Sequence, residues 1–219
     1  MSDSDDACTY WAPTECEGSI HCPPRCPRFV DTEGDRWVVR PPTADDRDAL
    51  VDMYDDFAPG ERAQGLPPRN RSRIVDWLDG LLEEGCNFVV VGQERVVGHA
   101  LYTPTDDAEP EFAVFVHQDY QHRGIGTEVS EHVLATAVVG DRNALTLVVQ
   151  PGNRPARRLY DTLGFKAVED VSYTQTGRPR SVLRMRRPLD SSADTVSCRH
   201  PPLVRGDLSP TVPGPAASD

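Results

Sequence analysis

At 219 residues the chain has room for one ordinary domain with appendages, and two full domains would be cramped. Hydrophobic residues make up 38 %, enough for a core, yet no run approaches the roughly 18 apolar residues of a membrane helix. With 35 acidic against 23 basic residues the net charge is −12, which leaves no basic stripe for electrostatic binding of nucleic acid.

The N-terminal stretch Met1 to Asp6 is acidic and has no apolar segment. It reads as neither signal nor transit peptide, so a cytoplasmic location is expected, with no membrane partner. Residues 1–35 carry Cys8, Cys16, Cys22 and Cys26, with His21 alongside, among Pro23, Pro24 and Pro27, and show no periodic pattern. Four thiolates have the count for one tetrahedral Zn2+. The spacings lack paired Cys-x-x-Cys knuckles, however, so an iron–sulfur or redox role and incidental thiols stay open beside zinc. This zone is expected to be a Cys-rich extension.

From Arg36 the pattern turns regular. Arg36 to Arg40 reads as a strand stopped by Pro41 and Pro42, and Thr43 with Asp46 three residues on is a capping-box-like helix start running to about Asp56. Phe57 to Asn70, with Pro59, Gly60, Gly65, Pro67 and Pro68, is a loop. The spacing of Ile74, Trp77, Leu78 and Leu81 predicts a helix over 71–83. Phe88 to Val91 and Val96 to Tyr102 flank a short turn and read as a β-hairpin. Glu111 to His117 is a strand, Thr127 to Val139 a helix, and Ala144 to Val149 a buried strand. Asn153 to Leu163 is a helix stopped by Gly164, and two strands follow at Val168 to Tyr173 and Ser181 to Arg187. The order is mixed α/β, with a folded domain over 36–187. Residues 188–219, rich in Ser, Pro, Ala and Asp, are expected to be a disordered tail. Lys166 is the sole lysine in the chain; so carboxylate-rich a surface suits high salt, and a halophilic source is expected.

The chemistry centres on Gln121-His122-Arg123-Gly124-Ile125-Gly126-Thr127, between a hydrophobic strand and an amphipathic helix. Glycines let the backbone approach a phosphate, and the N–H groups and dipole of a helix start favour its charge. The third small residue of a Rossmann fingerprint is missing, since Val129 stands there, and no Gly-Lys-Ser/Thr marks a P-loop. Downstream lies a second motif, Asn153-Arg-Pro-Ala156-Arg-Arg-Leu159-Tyr160-Asp-Thr-Leu163-Gly164-Phe165.

Together, at this separation, the two motifs resemble the pyrophosphate loop (Gln/Arg-x-x-Gly-x-Gly/Ala) and the Asn-x-x-Ala-x-x-Leu-Tyr-x-x-x-Gly-Phe segment of the GNAT acetyltransferases. The resemblance covers roughly Arg36 to Arg187. It implies a mixed twisted sheet with splayed central strands, flanked by helices, and acetyl-CoA as co-substrate. It further implies that the main chain of Val114 and Val116 receives the pantetheine arm. Gln121 to Thr127 would supply amides and some side-chain contact to the pyrophosphate. Asn153 would contact cofactor atoms near the thioester, although it could equally be a plain N-cap. Tyr160 would protonate the departing thiolate, or be a packed aromatic.

For the base, Glu111 heads the strand that leads into the loop and shares a face with Ala113, Phe115 and His117. In a cleft its pKa would rise by desolvation. The run Glu111-Phe112-Ala113-Val114 also resembles that of protein-lysine acetyltransferases of the superfamily. His99, Glu109 and His117 are the alternatives, with His117 read as a strand-end surface residue. The expected activity is direct N-acetyl transfer to an amine acceptor, either a protein lysine or N-terminus or a small amine. The loop from Phe57, with Asp55, Asp56 and Glu61, would line the acceptor side. A homodimer is allowed for. The rival reading is an acyl-CoA-binding sensor without turnover.

Overall fold

The computed structural model describes residues 16, 23, 25–61, 66–93, 95–175, 178–189 and 203–204. The strands are β1 (Arg28–Val30), β2 (Arg36–Arg40), β3 (Cys86–Gly92), β4 (Arg95–Thr103), β5 (Glu111–Val116), β6 (Ala144–Val149), β7 (Lys166–Gln175), β8 (Arg178–Pro188) and β9 (Leu203–Val204). The helices are α1 (Asp46–Asp55), α2 (Arg71–Glu84), α3 (Ile125–Val139) and α4 (Arg154–Thr162), with single 3₁₀ turns at Pro59–Glu61 and Gln118–Tyr120. All strands join one sheet in the order β7-β8-β6-β5-β4-β3-β2-β1-β9. Neighbours run antiparallel except at β5/β6 and β1/β9. The mixed α/β sheet flanked by helices is the architecture expected from the motifs.

The elements start where local chemistry places them. Asn70 caps α2 by accepting from the Ser72 N–H at 2.9 Å, and Ile74 and Leu78, four residues apart, are fully buried on its inner face. At α1 the carboxylate of Asp46 accepts from the Thr43 N–H at 2.6 Å and the Thr43 hydroxyl at 2.9 Å. This is the backward-reaching half of the expected capping box, and the helix itself begins at Asp46. Arg40 grips the same carboxylate with both guanidinium nitrogens, at 2.6 and 2.8 Å, and holds its pKa down to about 2.

Each face of the sheet carries its own core. Leu50, Tyr54, Phe57, Ile74, Leu78, Val89 and Val96 gather under α1 and α2. On the other face Trp37, Val90, Val97, Ile125, Val129, Val133, Tyr160 and Phe165 pack under α3 and α4. Alternation along the strands sorts the residues: Val89 and Val96 belong to the first core, Val90 and Val97 to the second. β1 lies upstream of Arg36, antiparallel to β2, and buries Phe29 completely. Its three residues are too few for a periodic signal. No helix among the described residues is long and apolar enough to cross a membrane.

Candidate active site

β5 and β6 share one ladder pair, at the start of β5. Glu111 registers with Thr146, the Thr146 N–H donates to the Pro110 carbonyl at 3.0 Å, and no further pair follows. On its other side β5 is paired with β4 along its whole length, from Thr103↔Glu111 to Gly98↔Val116. The sheet therefore opens into a wedge beyond Glu111. Because backbone groups alternate sides along a strand, the Pro110 bond fixes which ones face the gap: those of Phe112, Val114 and Val116. The Val116 carbonyl accepts from the Gln121 side chain at 3.2 Å, which agrees with that parity. Val114 and Val116, the residues expected to receive a pantetheine arm, thus present main-chain groups to the opening.

The turn after β5 ends at the mouth of this wedge. His122 (φ +62°) and Gly124 (φ +86°) take left-handed conformations, and Gly124 caps α3, its carbonyl accepting from the Glu128 N–H at 3.0 Å. The amides of Ile125, Gly126 and Thr127 precede the first intrahelical bond, and among the described residues they have no acceptor. Gly126 abuts both rims: a methyl there would meet Val116 Cγ2 and Leu159 Cδ2, each at 3.5 Å. Three such N–H groups at the positive end of a 15-residue helix have the geometry and the polarity to receive an anion.

The side chains of the loop behave less uniformly than expected. His122 is exposed and Thr127 half-buried, while Gln121 turns back onto Val116. Arg123, expected to offer side-chain contact to a phosphate, is buried instead and ion-paired with Asp31, Glu33 and Asp35. It retains only its main chain for a ligand.

α4 forms the second rim. Asn153 is its N-cap, its side-chain oxygen accepting from the Ala156 N–H at 3.2 Å, so the capping role is realised. Tyr160 is buried between Phe112 (ring centroids 6.2 Å apart) and Phe165 (5.9 Å). Burial pushes its hydroxyl up to about 12, which keeps the proton on at neutral pH.

Of the base candidates, Glu111 stands at the apex of the wedge and is exposed, where a place inside a cleft was expected. Glu109 is held by Arg186 at 2.7 and 2.8 Å. His99 is completely buried, and its hydrogen bonds are dictated step by step. Asn87 donates its amide to the carbonyls of Leu81 (2.8 Å) and Gly85 (2.7 Å). Its oxygen must then accept from His99 Nε2 at 2.9 Å, and Nδ1 accepts from the Tyr54 hydroxyl at 2.6 Å. Burial lowers this imidazole to about 3. Neutral and bonded at both nitrogens, it has no free lone pair for a proton, which removes it as a base.

His117, expected at the surface, is buried. It packs against Phe57 and Tyr120, accepts the Asp119 N–H at Nδ1 and donates from Nε2 to Asp56 at 3.0 Å. Beside it Gln118 donates to the Asp56 carbonyl (3.0 Å) and accepts from the Ala58 N–H (3.3 Å). These two residues tie the loop after α1 to the end of β5. Nothing in the sequence pattern flagged Gln118, because its partners lie about 60 positions away. Asp55 pairs with Arg71, and the side chain of Glu61 lies outside the described residues. Cys8 and Cys22 also lie outside them. Cys16 and Cys26 are described, and no group of three metal-ligating side chains occurs among the described residues.

Comparison with known proteins accords with this geometry. A family model for the acetyltransferase (GNAT) domain matches residues 36–166, more than half of the chain. No curated protein sequence matches. Among solved structures, the fold is similar to an N-acetyltransferase from Staphylococcus aureus Mu50, at a TM-score of 0.60 and 15 % identity over 70 % of this chain and 99 % of that one. It is similar to the GNAT domain of S. lividans PAT, at 0.60 and 22 % identity over 74 % and 96 %. It is also similar to yncA of Salmonella typhimurium, solved with its cofactor acetyl-CoA, at 0.59 and 17 % identity over 70 % and 94 %.

Proposed function

Because this chain belongs to the GNAT acetyltransferase family, we propose that it moves the acetyl group of acetyl-CoA directly onto a primary amine. The observation that carries this reading is the wedge between β5 and β6, with the unbonded amides of Ile125, Gly126 and Thr127 at its mouth. A diphosphate suits those amides, and an extended pantetheine amide chain suits the strand edge at Val114 and Val116. In this reading the amine nitrogen attacks the thioester carbonyl carbon while Glu111, directly or through a water, takes the amine proton. The C–S bond then breaks, and Tyr160, whose hydroxyl carries its proton at neutral pH, supplies it to the thiolate sulfur. Asn153 lies at the head of the helix that carries Tyr160 and is assigned to cofactor atoms near the thioester, its oxygen shared with the cap.

The acceptor is taken to be cationic. Asp55 and Asp56 are exposed at the C-terminal, negative end of α1, and the whole chain carries −12. A lysine side chain, a peptide N-terminus and a small polyamine all answer that description.

Calorimetry with CoA, followed by thiol release across a panel of these amines, tests the reading. Binding and turnover with at least one amine are expected. Glu111→Gln should lower kcat at neutral pH roughly 100-fold, and Tyr160→Phe should lower kcat with little change in the acetyl-CoA KM. Failure to bind CoA would remove the reading altogether. Binding with no turnover on any amine would leave an acyl-CoA-binding protein in its place.

A further inference from the structure

Arg123 stands between two left-handed residues, His122 and Gly124, where no helix or strand ladder holds the chain. What holds it is the turn between β1 and β2, which precedes the segment matched by the family. Asp31, fully buried, is the hub. Its Oδ1 accepts the backbone N–H groups of Glu33 (2.9 Å) and Asp35 (3.0 Å). Its Oδ2 accepts the Trp37 indole N–H (2.7 Å) and the Arg123 Nε–H (2.7 Å). Asp35 and Glu33 pair with the remaining guanidinium nitrogens. The cation lies over the rings of Trp37 (5.6 Å) and Tyr120 (5.3 Å). The main chain is pinned too, since the Thr32 N–H donates to the Arg123 carbonyl at 3.2 Å. A second tie runs from the same upstream segment: Arg25 donates to Glu128 at 2.5 Å and pairs with Glu131, both in the first two turns of α3.

A guanidinium matched by three carboxylates has no charge left for a phosphate. Its burial makes sense as anchorage. We propose that the β1–β2 turn, with Asp31 at its hub, is a positioning element for the cofactor loop, holding Arg123 so that the amides of Ile125, Gly126 and Thr127 stand ready before any ligand arrives. The inference rests on the acetyl-CoA reading above and adds residues of the upstream segment to the binding machinery. A preset loop lowers the ordering cost of binding and leaves the chemical step alone. The effect therefore belongs in cofactor affinity rather than turnover.

Asp31→Asn tests this, because an amide has one acceptor oxygen where the hub needs two, and it removes the charge facing Arg123. The CoA Kd and the acetyl-CoA KM should rise about tenfold, kcat should stay within about twofold, and amide hydrogen exchange over 121–127 should quicken in the ligand-free protein. Should that variant fail to fold, Glu33→Gln with Asp35→Asn, whose side chains are 64 % and 39 % exposed, carries the same test with about a threefold effect. Arg47→Gln, which breaks an exposed pair with Asp79, should change none of these readouts. Unaltered affinity and exchange despite a lowered melting temperature would overturn the proposal. So would a fall in kcat at constant KM. The exchange measurement needs no cofactor, so a wild-type protein that ignores CoA would sink the acetyltransferase reading and leave this one to be decided by exchange.

Discussion

Gly124 and Gly126 share one motif but are glycines for different reasons. At φ +86° Gly124 occupies a region where a Cβ costs roughly 1–2 kcal/mol. Gly126 is an ordinary helical residue with room for a methyl at van der Waals distance from Val116 and Leu159. Gly124→Ala should therefore lower stability by about 1 kcal/mol and weaken cofactor binding, while Gly126→Ala should leave the melting temperature within a degree or two. Thermal denaturation and CoA titration of the pair check both. These glycines were legible in the sequence, because a strand-to-helix turn leaves a local signature. The partners of Arg123 were not. Its carboxylates lie 88 to 92 positions upstream, and no propensity or period reaches that far. A separation of 61 positions likewise hid the Asp56 partner of His117, a residue expected at the surface and found buried.

Among the elements, α1 shows how a start signal can be right in its parts and shifted in its place. Thr43 and Asp46 do bond to each other, yet Arg40 has recruited the carboxylate and the first helical turn begins three residues later. The arrangement makes a pH prediction. Asp46 is held at about 2, below its ordinary value of 3.8, chiefly by the hydrogen bonds from Arg40. Its contribution to stability is present above the ordinary carboxylate range and is lost as pH falls toward 2. Asp46→Asn should cost about 1 kcal/mol at pH 7 and should flatten the acid limb of the stability profile, read by urea melts between pH 6 and pH 2. Strands β2 to β8 and the four described helices were foreseeable from short apolar runs, from cap and stop signals such as Thr43 and Gly164, and, for α2, from 3.6-residue spacing. β1 and β9 were not, having three and two residues and a stability that comes from their neighbours.

For the molecule as a whole, a charge of −12 acts on the two proposed substrates with opposite sign. It draws a cationic amine and repels the polyphosphate of CoA, and salt screens both fields, the Debye length being about 10 Å at 0.1 M. Raising ionic strength should therefore lower kcat/KM for the amine and raise it, or leave it level, for acetyl-CoA. Two parallel shifts would argue against a field effect and point to a general response of the fold.

The lone rung between β5 and β6 has one more consequence. β1 to β5 and β6 to β8 are two separately woven cloths whose strands share a single stitch, Glu111 against Thr146, with ties just before it from the Asn143 N–H to the Ala108 carbonyl and from Arg186 to Glu109. An elongated guest bearing its own peptide groups can lie along the loose selvedge at Val114 and act as the absent thread. Such a guest should raise the temperature at which the entire sheet comes apart, beyond merely rigidifying the pocket it fills.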